Sequence, residues 1–191
     1  MRNTPIIDSY WVVPGRLLAG EYPGARTEEE TRARLRSFLD AGVSYFLDLT
    51  GEDEGRTPYE AFLLEEAKER QRTVIYQRLP VAEQGAPATR QMREIQRVIQ
   101  NALNEGHTIY VHCWSGVGRA GMAIGCYLIE QEMSAAEALA QIRRLRRETT
   151  DGWRKSPENR PQEEFVRNWQ HLVAHSAAPG RGNDFVRAAQ M

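Results

Sequence analysis

Between residues 106 and 129 the chain carries one charged side chain, Arg119. Stretches free of Asp, Glu, Lys and Arg lie on either side of it, at 106–118 and 120–129. Both are shorter than the ~18 apolar residues that suggest a membrane span. A cation inside the most hydrophobic segment is unfavourable unless an anion meets it. The fold must therefore bury this segment and still bring a negative group to Arg119, either a carboxylate of the chain or a bound anion.

The flanking sequence predicts alternating strands and helices. Residues 43–49 are short, apolar and rich in β-formers, which predicts a buried strand, and 73–79 and 107–112 read as further strands. Thr27 with Glu30 and Ser134 with Glu137 read as capping boxes, and Gly42 and Gly106 as helix stops. Thr57-Pro58 is expected to open a helix, and Met92, Ile95, Val98, Ile99, Ala102 and Leu103 follow a helical period. An apolar helix to about Glu132 and a last helix over 162–175 complete the pattern. The predicted architecture is α/β: a central twisted sheet of about four to five strands with helices on both faces. With 191 residues, one domain over 1–175 is expected, followed by a mobile tail over 176–191.

Twenty-five basic side chains against 26 acidic ones leave a net charge of −1, without the basic excess of a typical nucleic-acid binder or membrane anchor. Neither nucleic acid nor membrane is expected as a partner, and any anion site is local. Two cysteines, Cys113 and Cys126, are too few for a disulfide framework, and no apolar leader follows Arg2, so a cytoplasmic monomer is expected.

The strand ending at His112 runs into Cys113-Trp114-Ser115-Gly116-Val117-Gly118-Arg119, and a helix begins where this loop ends. Backbone amides of a tight glycine-containing loop, together with those of a helix's first turn, converge into a nest for a tetrahedral oxyanion. Arg119 can close that nest with a bidentate fork. The same positive field favours a thiolate at Cys113: cysteines in such settings ionise at ~3.5–7.5 rather than ~8.5. Thiolate, amides and guanidinium together could bind a phosphate monoester and attack its phosphorus without a metal or other cofactor. Three alternatives stay open at this point. Gly116 to Gly121 also fits G-x-G-x-x-G, a dinucleotide fingerprint, although residues 134–147 read as helix where a second strand and its acid belong. Cys113 could be a buried structural cysteine, or the persulfide carrier of a sulfurtransferase.

His112-Cys113-Trp114-Ser115-Gly116-Val117-Gly118-Arg119 matches H-C-x-x-G-x-x-R, and the chain resembles the cysteine-dependent protein tyrosine and dual-specificity phosphatases. Trp11-Val12-Val13-Pro14-Gly15, Ala19-Gly20-Glu21-Tyr22-Pro23, Leu47-Asp48-Leu49-Thr50 and Ser156-Pro157-Glu158 extend the likeness to a compact bacterial branch. The resemblance implies Cys113 as nucleophile, Arg119 as phosphate clamp and a cysteinyl-phosphate intermediate. It also implies phosphate binding by the amides of Trp114, Ser115, Gly116, Val117, Gly118 and Arg119, with His112 supporting the thiolate from behind. The implied partner is a phosphorylated protein or a small phosphate monoester.

An acid that protonates the leaving oxygen is worth ~10²–10⁴-fold. The resembled family carries an aspartate for this in the loop after the strand preceding the long helix; the matching position here is Glu83. Asp48 and Asp53 are the reserves, with Asp48 expected at a buried strand end and Glu52, Asp53 and Glu54 expected as a solvated turn. Ala120 stands where the resembled enzymes usually place a hydroxyl that stabilises the departing thiolate, which implies slow hydrolysis of the intermediate. Gln162 loosely matches a glutamine that positions the attacking water. Cys126, Trp153 and Trp169 are expected to pack in the core, and the Trp114 indole could also turn inward.

Overall fold

The computed structural model describes residues 4–55 and 57–176. The chain opens with β1 (Ser9–Val13) and β2 (Leu17–Gly20), followed by α1 (Glu28–Asp40), β3 (Tyr45–Asp48), α2 (Glu60–Glu69) and β4 (Ile75–Arg78). Next come α3 (Thr89–Asn104), β5 (Ile109–His112), α4 (Arg119–Glu130), α5 (Ala135–Leu145), α6 (Arg160–Arg167) and α7 (Trp169–Ser176). The sheet order is β1-β2-β5-β3-β4, with β1 antiparallel to β2 and the remaining pairs parallel.

Strand periodicity divides the core in two. Leu17, Ala19, Tyr45, Leu47, Ile109 and Val111 point to one face, where Met92, Ile95 and Ile99 of α3, most of α4, and Phe165 and Trp169 cover them. Leu18, Phe46 and Tyr110 point to the other, under Leu35, Phe38 and Leu39 of α1 and Leu63 of α2. Helix α4 is buried from Arg119 to Ile129 because it packs against α3, α5, α6 and α7. Each buried Leu or Ile contributes about 1.5–3 kcal/mol of transfer free energy, so this helix anchors the loop that precedes it.

Both capping boxes form. Thr27 Oγ1 accepts from the Glu30 amide at 3.2 Å, and Ser134 Oγ accepts from the Glu137 amide at 3.3 Å. Gly42 and Gly106 leave α1 and α3 with φ of 88° and 90°. Several expectations are corrected. The N-terminal hairpin β1–β2 was not among the expected strands, and the strands are shorter than the apolar runs that signal them. Helix α2 begins at Glu60 rather than at Thr57-Pro58, with buried Tyr59 as its N-cap. The last helix is two. Asn168 caps α6, and its Nδ2 reaches the Glu164 carbonyl at 2.8 Å, the local competition that short polar side chains offer a helix. Beyond the helical backbone of Ser176, the expected tail lies outside the described residues.

Candidate active site

In open α/β sheets, ligands bind beyond the carboxyl ends of the strands where the strand order reverses. Here β5 lies between β2 and β3 and its carboxyl end is His112, so residues 113–118 fall at that crevice. Gly116 takes φ of 69° and packs its bare Cα on the end of β2; an added Cβ would overlap the Gly20 carbonyl carbon and lie 2.7 Å from its oxygen. The Trp114 carbonyl accepts from the Tyr22 amide at 3.0 Å, and the Val117 carbonyl accepts from Ser156 Oγ at 2.6 Å. The carbonyls of Trp114 and Val117 are thus held by partners outside the loop. Among the described residues the Ser115, Gly116, Val117 and Gly118 amides donate to no protein acceptor. Gly118 is the N-cap of α4 and adds that helix's unpaired first turn. Cys113 is 2% exposed at the start of this ring.

Arg119 projects from the first residue of α4 and is buried. Its anion is Glu54, which takes Nη2 at 2.8 Å and also pairs with Nη1; the carbonyls of Val81 and Leu49 lie 3.2 and 3.3 Å from Nη1. This corrects the expectation of a solvated turn at Glu52, Asp53 and Glu54: the first two are exposed, but Glu54 closes on the buried cation. The Gly51 amide also donates to Glu54, at 2.6 Å. Burial pushes the Glu54 carboxyl up, but the Arg119 and Gly51 hydrogen bonds outweigh it, and the net shift is downward. For Arg119 burial disfavours the charge, whereas its hydrogen bond to Glu54 and the neighbouring Cys113 and Glu54 favour it more, and the net shift is upward. Glu54 engages the tip of the guanidinium, which leaves its Nε edge for an oxyanion.

Beneath the loop lies a buried polar layer. His112 Nε2 is 2.6 Å from the Tyr59 hydroxyl, and Nδ1 is 3.5 Å from the Cys113 carbonyl and 3.8 Å from Asp48 Oδ1. Burial holds the imidazole below its ordinary ionisation range. In the neutral ring the Nδ1 proton then faces the two oxygens, and Nε2 accepts from Tyr59. Asp48 is fully buried. Burial pushes its carboxyl up, but His112, two hydrogen bonds from Thr50 and one from Tyr76 bring the net shift down. Asp48 therefore belongs to the floor of the site, and Asp53 is exposed away from these contacts.

A cleft of about 1240 Å³ opens above the loop, lined among others by Trp114, Ser115, Glu83, Arg26 and Glu158. Glu83 is exposed on its rim, and its main-chain carbonyl accepts from Gln162 Nε2 at 3.1 Å. Gln162 is buried at the start of α6, and its Oε1 accepts from the Glu158 amide at 3.2 Å. Gln162 thus ties the segment carrying Glu83 to the one carrying Glu158. Ala120 is fully buried behind the ring. Trp114 is 37% exposed in the cleft and Trp153 is 83% exposed, which corrects the expectation that Trp153 packs inside; Trp169 and Cys126 are fully buried. Burial pushes the Cys126 thiol well up.

Glu54, Tyr59, Ser156 and Glu158 were missed as site residues. Glu54 had a sequence signal, since an unmatched buried cation requires an anion and the turn after the strand beside β5 is rich in carboxylates; Ser156 and Glu158 had only the likeness of their segment to the resembled family. No strand follows α4 among the described residues, so the dinucleotide alternative lacks its second strand and acid.

Comparison with known proteins agrees with this architecture. Dual specificity protein phosphatase CDC14B of Mus musculus is 26% identical over 167 residues, 83% of this chain and 30% of that protein. The chain spans less than half the length of the curated relatives it matches. Among solved structures, a kinase associated phosphatase with its catalytic cysteine replaced by serine superposes with a TM-score of 0.66 at 17% identity, over 83% of this chain and 87% of that one. TpbA of P. aeruginosa, solved in complex with pTyr, superposes at 0.64 and 17% identity over 93% and 96%. Residues 8–166 match the family model described as a Swiss Army Knife protein, DSP-PTPase phosphatase domain, and the chain belongs to that family of dual-specificity-type phosphatase domains.

Proposed function

We propose that this chain is a metal-independent phosphatase of phosphate monoesters, with phosphotyrosine in proteins its first substrate class, acting through a cysteinyl-phosphate intermediate. The observation that carries this reading is the occurrence of Cys113, four backbone amides that donate to no protein acceptor among the described residues, and the Glu54-held Arg119 in one strand-to-helix loop. Arg119 and the amides bind the three phosphoryl oxygens and stabilise the charge that develops on them. Cys113 Sγ attacks phosphorus in line, and Glu83 gives its proton to the departing oxygen. Water then attacks the phosphorus, and the S–P electron pair returns to sulfur. His112 and Tyr59 support the loop from below without entering the reaction.

The cleft favours a singly phosphorylated side chain. Outside the loop it presents Arg26, Arg34 and Arg154 against five carboxylates, too little positive charge for polyphosphorylated inositides or nucleic-acid ends. That TpbA was solved with pTyr supports the same substrate class. A cytoplasmic monomer with residues 1–175 as the phosphatase domain completes the proposal; no helix among the described residues is long and apolar enough to cross a membrane.

Rapid-mix kinetics on p-nitrophenyl phosphate and phosphopeptides, with EDTA present, test it. Turnover that is lost in Cys113→Ser is the expected result, with Glu83→Gln slowing release of poor leaving groups. Ala120, which offers no hydroxyl to the departing thiolate, favours a second reading, a phosphoprotein-binding module. Tight phosphopeptide binding with negligible turnover would establish that reading instead.

A further inference from the structure

Resting on the phosphatase reading, we propose that Trp153 lines a second subsite of the cleft, one that takes a bulky apolar side chain flanking the phosphorylated residue of a protein substrate. The cleft of about 1240 Å³ exceeds the ~300–1,000 Å³ of usual small-molecule sites, so it has room for polypeptide beside the phosphorylated residue. A hollow of about 420 Å³ continues it, sharing Gln84, Arg154 and Glu158 and adding Trp153, Lys155 and Asn159. Of the four tryptophans, Trp169 is buried and Trp11 half-buried, whereas the two exposed indoles, Trp114 and Trp153, both stand on this continuous surface.

Trp153 is held out on a fixed turn. Buried Arg146 donates to the carbonyls of Asp151 at 3.2 Å and Arg154 at 3.1 Å, on either side of Trp153 in sequence. Gly152 packs against the end of the preceding helix, where an added Cβ would lie 2.7 Å from the Arg147 carbonyl oxygen. The charges around the hollow are already matched: Arg154 pairs with Asp151 at 2.9 Å and Glu158 at 3.2 Å, and Lys155 pairs with Glu163. What the hollow offers a ligand is therefore the indole face, which makes no hydrogen bond or ring contact among the described residues. Covering apolar surface that a rigid turn has already ordered releases water at little entropic cost, and tryptophans are enriched among binding hot spots for this reason. The exposed Gln84 carboxamide, shared by cleft and hollow, can bond the main chain of an extended segment crossing between them.

Phosphotyrosine peptides in a glycine–serine background, with one phenylalanine at each flanking position in turn, test this beside p-nitrophenyl phosphate, which carries no flanking residue. In the wild type we expect phenylalanine at one position to raise kcat/KM by about 10-fold. That gain should disappear in Trp153→Ala and largely persist in Trp153→Phe. The proposal is overturned if no position gives a gain in the wild type, or if the gain survives Trp153→Ala. A fall of the same size on p-nitrophenyl phosphate would mark Trp153 as a structural side chain and overturn it as well. Lysine or glutamate giving a larger gain than phenylalanine would refute the apolar character of the subsite. Sedimentation that finds a dimer dissolved by Trp153→Ala would assign the indole to a second copy of this chain, again overturning the proposal. A wild-type protein that turns over neither p-nitrophenyl phosphate nor any phosphopeptide overturns the phosphatase reading itself, an outcome distinct from these.

Discussion

Replacing Glu54 by glutamine keeps its size and removes its charge. Arg119 would then be a buried cation with neutral acceptors alone, the Leu49 and Val81 carbonyls at 3.3 and 3.2 Å and the oxygen of the new amide. Removing one partner of a buried pair typically destabilises by about 3–5 kcal/mol. Glu54 retains 20% side-chain exposure, so water compensates part of the loss, and we expect roughly 1–3 kcal/mol. For a domain of this size that lowers the melting temperature by roughly 3–10 °C. The effect on turnover should be larger. Glu54 fixes the angle at which the guanidinium presents its Nε edge, and a misplacement of about 1 Å in a binding group can lower rates ~10²-fold. The assay is kcat/KM on p-nitrophenyl phosphate beside a thermal melt, with Asp53→Asn as the exposed control that leaves both unchanged. A Glu54→Gln protein with wild-type melting and turnover would refute the view that this carboxylate orients Arg119.

Gly116→Ala forces a side chain to a φ of 69° and into the Gly20 backbone, so a loss of at least ~2 kcal/mol is expected in urea unfolding. Tyr59→Phe leaves His112 Nε2 without its 2.6 Å partner in a buried site and should destabilise by about 1–3 kcal/mol, read by the same denaturation. Ala120→Ser is expected to raise the steady-state rate without changing the burst, by restoring a hydroxyl near the leaving thiolate; an unchanged steady state would count against that role. The folded-state shifts of His112, Asp48 and Glu54 are all downward, so the unfolded chain binds more protons as pH falls. Stability should be full above about pH 6.5, decline below it as unfolded imidazole protonates, and steepen below about 4 as unfolded carboxylates do. Circular-dichroism melts across pH 3–8 check this.

The strand–loop–helix around Cys113 was legible because its information is local: an apolar strand, two glycines and an arginine within a few residues of one another. The capping boxes at Thr27 and Ser134 were legible for the same reason. Glu54 was not, because its partner is 65 residues away and its own neighbourhood looks like an ordinary acidic turn. The β1–β2 hairpin escaped notice although its strands, of five and four residues, are no shorter than the four-residue β3, β4 and β5; no predicted helix preceded it to set up the strand–helix alternation that revealed the others. Trp153 shows the limit of a statistical rule: indoles are usually buried, yet this one stands at the rim of a hollow that shares Gln84, Arg154 and Glu158 with the main cleft. Glu158 and Gln162 acquire their place only through the turn that Arg146 organises, and no spacing in the chain announces that turn.

The seat of Gly116 on Gly20 joins points far apart in the chain, and neither glycine can hold that geometry alone. On the proposed mechanism, a chain whose opening hairpin is undocked carries every reactive atom and still lacks the ring that would arm it.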